Sequence, residues 1–508
     1  MNLVENRGFE EIIRSGGDHR LDIIQGSFLN LYGCSPTPYE HISYSSSTAS
    51  TVSFDAYNHA RNIFDRVCKL DDLSDPFQNV RDRLRSYIGL DDSVDIALGP
   101  SGTDMELISL LASIEKNPVV SNILVARDEV GSGIEFAASG RHSSSTTPSG
   151  KSATKGDYIA GFEKHDIELE SVSVRHSNGS IVPVDDVLKD VVSKIESATA
   201  RGRRVLLHLV YRTKTGIISP CFYSIKKLMQ KYSENLDVVV DACQYRMSNE
   251  SLRLLLAANC MVIITGSKFY AGAPFSSALL VPESVRDRFV TNNSSIPKGI
   301  EDYFSRSELP IRWAIFNSLP SERNNVGLLL RWETALYEMT RFSAVHKERF
   351  QASVQIFHEV LDQIISSYDC FSLVREDKGV SLVTEQDSIF NQTIQTFVLE
   401  DGKKELNDAK IIYQALYQDL SPILDNPIAK TICHIGQPVK VKKNADGNWS
   451  AALRVSLNAN YFAQQSGKIL DKQRIVLQSE LGAIFSKMKL ILDNYDSVKE
   501  FVSERGTF

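Results

Sequence analysis

The sequence contains few cysteines and no cysteine pattern that marks a metal site or a disulfide framework. Seven cysteines are scattered over 508 residues, with no CxxC pair and an odd total. This usage is typical of proteins in a reducing compartment. We therefore expect a cytoplasmic protein without a bound metal.

Long hydrophobic runs and an excess of positive charge are also missing. The longest apolar stretch, residues 254–266, is too short to span a bilayer, and the charged N-terminal segment shows no signal peptide. The net charge of −7 argues against a general nucleic-acid binder. We therefore expect neither a membrane nor a nucleic acid as a partner.

Apolar segments and amphipathic helices indicate two domains that follow an N-terminal arm. A chain of 508 residues is too long for one compact core. Short apolar strands first alternate with helices, which predicts an α/β fold with a mostly parallel sheet and helices on both faces. Long amphipathic helices and short strands at 389–400 and 451–458 then predict a smaller α+β domain. We place the arm at 1–57, the large domain at 58–310 and the small C-terminal domain at 311–508.

An acid and a lysine lie at the ends of two apolar runs. VVVDACQYR (238–246) contains Asp241, with Gln244 three residues later, and MVIITGSKFY (261–270) places Lys268 beside Ser267 and three residues after Thr265. Charged groups at the ends of buried strands cost free energy unless they are used. Pyridoxal phosphate (PLP) uses such a pair, because its aldehyde forms a Schiff base with a lysine and its pyridine nitrogen pairs with an acid.

A lysine at a strand end usually extends to solvent, and this is the alternative interpretation of Lys268. The hydroxyl groups at 265 and 267, the Gly-Ala-Pro turn that follows, and the spacing from the acid favour the Schiff base.

A third segment offers a seat for a phosphate group. DIALGPSGTDMELISLLASI (95–114) reads as a strand, a tight turn and the start of a helix. Backbone N–H groups at a helix start, together with the hydroxyls of Ser101 and Thr103, can bind a dianion, and Gly102 allows a close approach. Alone, such a turn is more often ordinary helix capping. Followed in order by the acid and the lysine, it predicts a phosphate site.

Together these motifs resemble the fold-type I PLP-dependent transferases, the aminotransferase superfamily. The DAxQ form is closest to the class V aminotransferase and cysteine desulfurase branch, and the resemblance extends over roughly residues 60 to 470. It implies pyridoxal 5′-phosphate as cofactor, a small-molecule amino-acid substrate and a homodimer. In such dimers the N-terminal segment often crosses to the partner or lines the active site, and an ordered surface arm is the alternative.

The same resemblance supplies three candidate substrate-binding residues. AALRVSLNANY (451–461) resembles the C-terminal strand whose arginine, here Arg454, binds the substrate α-carboxylate as a fork, with a structural ion pair as the alternative. Arg212 is expected to approach the cofactor's 3′-oxygen and the substrate. Glu129 lies where the family usually has a ring-stacking residue, and it either faces the substrate as an acid or base or caps a helix.

The motifs indicate the cofactor, but they do not distinguish among the reactions that this cofactor supports. Frequency within the superfamily favours an aminotransferase that acts through a Lys268 Schiff base. A lyase, or an enzyme that forms carbon–carbon or carbon–sulfur bonds in a biosynthetic pathway, is the alternative. A desulfurase would need a mobile cysteine, for which Cys370 and Cys433 are the candidate positions. A non-catalytic regulator with this fold is disfavoured, because the lysine, the acid and the phosphate turn are all intact.

Overall fold

The computed structural model describes residues 8–24, 27–131, 133–291, 295–320, 323–374, 383–384, 386–400, 404–443 and 447–505. Strands occupy a small part of this chain and helices a large part. The strands are β1 (Ile42–Tyr44), β2 (Asp95–Gly99), β3 (Val119–Val125), β4 (Asp166–Val172), β5 (Arg204–Val210), β6 (Leu236–Asp241), β7 (Met261–Thr265), β8 (Ser277–Val281), β9 (Phe371–Leu373), β10 (Ile394–Leu399), β11 (Cys433–Lys443) and β12 (Trp449–Ser456).

The α-helices lie between these strands and at both ends of the described chain. They are α1 (Phe9–Ile12), α2 (Phe54–Val67), α3 (Ser74–Ile88), α4 (Gly102–Ile114), α5 (Ile134–Ala137), α6 (Val184–Ala200), α7 (Phe222–Lys231), α8 (Asn249–Ala257), α9 (Glu283–Val290), α10 (Val326–Ser343), α11 (Lys347–Ile365), α12 (Asp387–Asn391), α13 (Leu406–Leu416), α14 (Ala459–Gln465), α15 (Leu470–Asp493) and α16 (Tyr495–Glu504). None of the helices in the described ranges is long and apolar enough to cross a bilayer.

The larger sheet has seven strands in the order β2-β8-β7-β6-β5-β3-β4. Its neighbouring strands run parallel except that β8 is antiparallel to both β2 and β7. The central strands β5 and β7 are buried along their whole length and mostly apolar, as is typical of strands covered on both faces. The carboxyl ends of the parallel strands therefore meet at one edge of this sheet.

Helices cover both faces of the larger sheet, and successive side chains of one strand enter two different cores. In β7, Val262 and Ile264 pack in the core that includes α6, α7 and α8. Ile263 of the same strand packs in the second core with Met105 and Leu107 of α4. The predicted fold class, α/β with a mostly parallel sheet and helices on both faces, is confirmed.

The smaller sheet has the order β1-β11-β12-β10-β9 and is antiparallel except where β1 runs parallel to β11. It packs with α11, α13 and α15. The first strand of this sheet comes from the N-terminal arm, so the arm and the C-terminal part of the chain share one sheet. The predicted domain boundaries stay a prediction.

One predicted strand is too long at its start. Residues 389–400 are expected to be a strand, but α12 occupies Asp387–Asn391 and β10 begins at Ile394. The buried Asp387 carboxylate accepts hydrogen bonds from the Tyr211 hydroxyl at 2.6 Å and from the Ser248 backbone N–H at 2.7 Å. These contacts with the larger sheet hold the segment in a helical turn, which an apolar pattern alone cannot reveal.

Candidate active site

A cavity of about 350 Å³ lies at the carboxyl edge of the larger sheet. This volume is within the range of small-molecule sites, roughly 300–1,000 Å³. The ends of β2, β6 and β7 all reach it. It brings together nine of the residues predicted from the sequence, namely Ser101, Gly102, Thr103, Asp241, Gln244, Thr265, Ser267, Lys268 and Arg454.

The turn after β2 forms the start of helix α4. Ser101 is the N-cap residue: its hydroxyl oxygen accepts a hydrogen bond from the Asp104 backbone N–H at 3.2 Å, and its own N–H donates to the Asp104 carboxylate at 3.1 Å. The N–H groups of Gly102 and Thr103 lie in the first turn and have no partner within the helix. A Cβ atom on Gly102 would lie 2.4 Å from Cys243 Sγ, so a larger residue here, where the turn meets the end of β6, would require this thiol to move.

An arginine from the N-terminal arm lies next to this turn. Arg20 Nη2 lies 3.5 Å from Ser101 Oγ, and its guanidinium lies 4.7 Å from the centre of the Phe275 ring. Its charge is paired with Asp18 at 2.6 Å. Burial lowers the pKa of Arg20, but the adjacent Asp18 outweighs burial, and the net shift is upward. Arg20 lies in an irregular segment with no motif around it and was not predicted from the sequence.

A buried acid next to the same turn has a pKa above the ordinary value for a carboxyl group. Burial and the nearby Asp18 raise the pKa of the Asp104 carboxyl to about 7, against the opposing effect of Arg20. Thus a cation, two acids and a helix start form a closely packed group at this end of the cavity.

The acid and the lysine occupy the middle of the cavity. Asp241 ends β6 opposite Ile263 of β7, and its carboxylate accepts the backbone N–H of Cys243 at 2.9 Å. The Thr265 hydroxyl donates to the Cys243 carbonyl at 2.9 Å, which ties the ends of the two strands together. Burial, the largest influence, lowers the pKa of Lys268, but Tyr32, Cys243 and Asp241 raise it and prevail.

Two buried polar atoms in the cavity wall have no partner. The Gln244 side-chain amide donates to the Ser47 carbonyl at 2.8 Å. In the part of the chain that the structure describes, no group lies within hydrogen-bond distance of Gln244 Oε1 or of Ser47 Oγ. A buried polar atom left unpaired costs roughly 1–3 kcal/mol. These atoms are therefore suited to contact a polar molecule in the cavity.

Arg454 lies at the other end of the cavity, on β12. Its guanidinium donates to the carbonyls of Gln437 at 3.0 Å and Lys214 at 3.2 Å, and Nε is buried without a partner. Burial lowers the pKa of Arg454 to about 10, although Glu129 opposes that shift. Among the described residues no carboxylate forms an ion pair with Arg454, so it has a charge to offer to a ligand.

A second cation adjoins Arg454. Lys214 lines the cavity and is only partly exposed. Burial, followed by the positive charges of Arg454 and Lys268, lowers its pKa to about 8, and Glu129 only partly offsets them. Lys214 was not predicted from the sequence, although it lies inside the RTKTG segment (212–216) that precedes the Asp241 strand.

Glu129 and Arg212 lie outside the cavity wall. Glu129 is buried, pairs with Arg175 at 2.6 Å and accepts the Thr215 backbone N–H at 3.0 Å. It thereby fixes the loop that carries Lys214. Arg212 turns away and donates to the Asn391 side chain at 2.5 Å, and burial lowers its pKa to about 9.

Other chemistry-bearing groups also lie away from the cavity. Cys370 and Cys433 do not contribute to its wall, whereas Cys243 does. In place of a ring-stacking residue, the segment after β3 contributes Gly131 and Ile134. Within the described ranges, no group of three or more His, Cys, Asp or Glu side chains is arranged to hold a metal ion.

Many solved structures resemble this chain, and two of them are compared with it below. A candidate histidinol-phosphate aminotransferase from Erwinia carotovora atroseptica SCRI1043 has 11% sequence identity and a TM-score of 0.44, and the match covers 90% of this chain and 99% of that one. A phosphoserine aminotransferase from Cytophaga hutchinsonii ATCC 33406 has 11% identity and a TM-score of 0.47, with 87% and 99% covered. No family model and no curated protein matches the sequence. Because both TM-scores lie below 0.5, we take the function from the site alone.

Proposed function

We propose that this chain is a PLP-dependent enzyme of the fold-type I class that acts on an amino acid, with transamination as its reaction. One observation carries the proposal: Asp241, Lys268 and the free N–H groups at the start of α4 line the same cavity. They come from the ends of three strands of one sheet, where ligands of α/β proteins gather. An acid, an amine and a dianion seat are the three groups that PLP needs.

The remaining wall of the cavity fits the same cofactor. The unpaired Gln244 and Ser47 oxygens are available to polar ring substituents, and the Gly102 position leaves the turn open for a close approach. The helix start and Arg20 would hold the phosphate group, and Asp241 would pair with the ring nitrogen. When bound, PLP supplies an electron-withdrawing ring that stabilises negative charge at the substrate Cα.

The chain's own residues then perform three tasks. Lys268 would hold the cofactor covalently, and its free amine would take the proton from the substrate Cα. Arg454 binds the α-carboxylate with two parallel hydrogen bonds, which fixes the orientation of the Cα–H bond. The buried walls exclude water, and this protects the reacting centre from side reactions.

Covalent capture tests the proposal directly. Purified protein is incubated with PLP, reduced with borohydride and digested, and mass spectrometry is expected to find a pyridoxyl group on Lys268. The Lys268→Ala variant should lose both this label and the visible absorbance of the bound cofactor. Lys442→Ala, a change on the exposed part of β11, is the matched control and should keep both. Label on another lysine, or no label at all, would overturn the proposal.

The type of reaction is tested on PLP-loaded protein that has not been treated with borohydride. An aminotransferase converts its cofactor to the pyridoxamine form when an amino acid is added without a keto acid. A lyase instead releases a keto acid and a leaving group while the cofactor returns to the pyridoxal form. Conversion to pyridoxamine supports transamination, and the lyase pattern rejects it while leaving the cofactor assignment intact.

A homodimer is also proposed. It follows from the resemblance, and the mass in solution measured by light scattering tests it.

A further inference from the structure

A second cavity of about 540 Å³ adjoins the first at its substrate end. The two cavities share Gly131, Ile134 and Lys214 in their walls. Arg454, which would bind the α-carboxylate, contacts the backbone of Lys214. The side chain of a substrate held by Arg454 therefore has room to extend past Lys214 into the second cavity.

The second cavity has an excess of positive charge. Two of its acids are already paired, Glu129 with Arg175 and Glu135 with Arg127. The cations that remain in its wall are Lys214, Lys410 and Lys440, and the acid that remains is Asp128. Asp128, Lys410 and Lys440 are exposed, so solvent screens them, whereas Lys214 is largely buried where the two cavities meet.

Charge balance in the first cavity leaves the same residue without a partner. Asp18 neutralises Arg20, and the phosphate dianion of a bound cofactor would face the helix start. The α-carboxylate of a substrate would neutralise Arg454. Lys214 then remains as a half-buried cation for which the described residues offer no ion pair and no side-chain hydrogen bond, and a cation largely removed from solvent is costly unless an anion meets it.

We propose that the substrate carries a second anionic group, a carboxylate or a phosphate on its side chain, and that Lys214 binds this group at the junction of the two cavities. This inference rests on the proposed function and makes it narrower, because it names the class of amino acid. Lys440 and Lys410 extend the positive field outwards and favour the entry of such a substrate. Lys214 thereby becomes a specificity-determining residue.

The charge of Lys214 gives the proposal a pH signature. The charged groups that act on it are Arg454 of β12, Lys268 after β7, Glu129 after β3 and Lys440 of β11. With a pKa lowered to about 8, Lys214 is charged at neutral pH and loses its proton as the pH rises through that value. Preference for a second anionic group is therefore expected near pH 7 and should decline above about pH 8.

Binding of unreactive acids to the PLP-loaded protein tests the inference without relying on turnover. Calorimetry compares glutarate with pentanoate, two chains of equal length that differ by one carboxylate, and 3-phosphonopropionate with butyrate as the phosphate-like arm. We expect at least about a tenfold preference for the dianion, equal to ~1.4 kcal/mol. The pair of acids with the larger ratio of affinities shows whether the second anionic group is a carboxylate or a phosphate.

Three variants locate the effect. Lys214→Met should reduce the ratio to about one, and Lys214→Arg should restore it and keep it above pH 8, since arginine stays charged. Lys442→Met, an exposed change on the same strand as Lys440, should leave the ratio as it is in the parent. If Lys214→Met fails to fold, Lys214→Gln replaces it and is judged by the same ratio.

Two failures are distinguishable. If borohydride does not label Lys268, the proposed function fails. If Lys268 is labelled but the parent protein shows no preference for dianions, or if Lys214→Met retains the preference, only the present inference is overturned.

Discussion

The two ends of the active-site cavity are built on different principles. At the turn after β2, the groups of Ser101, Gly102 and Thr103 lie close together in sequence, and the cation Arg20 of the N-terminal arm is neutralised by Asp18. At the far end, Arg454 and Lys214 come from distant segments, and in the described chain neither forms an ion pair. A balanced, preorganised end suits a group that stays bound, whereas an end with spare positive charge suits anions that must enter and leave.

Changing Arg454 should have the largest effect, and only on the substrate. We expect Arg454→Leu to lower kcat/KM about 100- to 1,000-fold, or about 2.7–4 kcal/mol, since the α-carboxylate loses its charged partner. The cofactor absorbance should stay the same. Arg454→Lys keeps the positive charge but loses the two-pronged guanidinium, so its kcat/KM should lie between those of the parent and of Arg454→Leu. An equal loss of cofactor in Arg454→Leu would show that the two ends are not independent.

Filling the space at Gly102 should affect the opposite end. In Gly102→Ala the new Cβ lies 2.4 Å from Cys243 Sγ, and such overpacking costs about 1–3 kcal/mol. Cofactor affinity, measured by absorbance titration, should fall about 5- to 100-fold. The double variant Gly102→Ala/Cys243→Ala removes the opposing sulfur and should recover most of this loss. Failure to recover would place the cause in the backbone of the turn.

Removing the Arg20 cation of the N-terminal arm should have a milder effect on cofactor binding. A hydrogen bond to a charged group contributes about 1.5–3 kcal/mol, and Arg20 is one donor among several at the turn. We expect Arg20→Met/Asp18→Asn to weaken PLP binding roughly tenfold. Binding of pyridoxal, which lacks the phosphate, should be the same in both proteins. A parallel loss for pyridoxal would assign Arg20 to the fold and not to the phosphate.

The smallest effect concerns the pH dependence of stability. The folded-state pKa of Asp104, about 7, lies above its unfolded value, so its contribution is fully present below about pH 4 and is lost as the pH rises through 7. The free energy of unfolding of the cofactor-free protein should therefore decline over this window. Chemical denaturation of Asp104→Asn should show a smaller decline than the parent. Identical slopes would mean that Asp104 titrates normally.

Local sequence signals predicted the parts of the site that are themselves local. The apolar run before Asp241 and the one before Lys268 each form a buried strand, and the residues after Gly99 form the expected helix start. Because parallel strands share a carboxyl edge, placing these three segments together required no long-range information. The fold class was predictable for the same reason.

Long-range contacts explain what could not be predicted. Arg20 meets Ser101 across 81 positions, and Arg454 contacts Lys214 across 240, so no spacing rule connects them. Glu129 is held in place by Arg175, which comes from another part of the chain. Arg212 is held in the same way by Asn391. A lone cation in an irregular segment carries no periodic signal. Its role becomes visible only when its neighbours are known.

The pairing of β1 with β11 has a consequence for the order in which the protein matures. The Ser50 hydroxyl donates a hydrogen bond to the Lys268 carbonyl at 3.0 Å. The Ser47 backbone N–H donates one to the Ser456 hydroxyl at 2.8 Å. In a nascent chain, residues 42–50 are made long before residue 456 leaves the ribosome. Until then β1 has no partner strand and Arg454 has not been made, so we expect the cofactor to be loaded only after residue 456 has been synthesised.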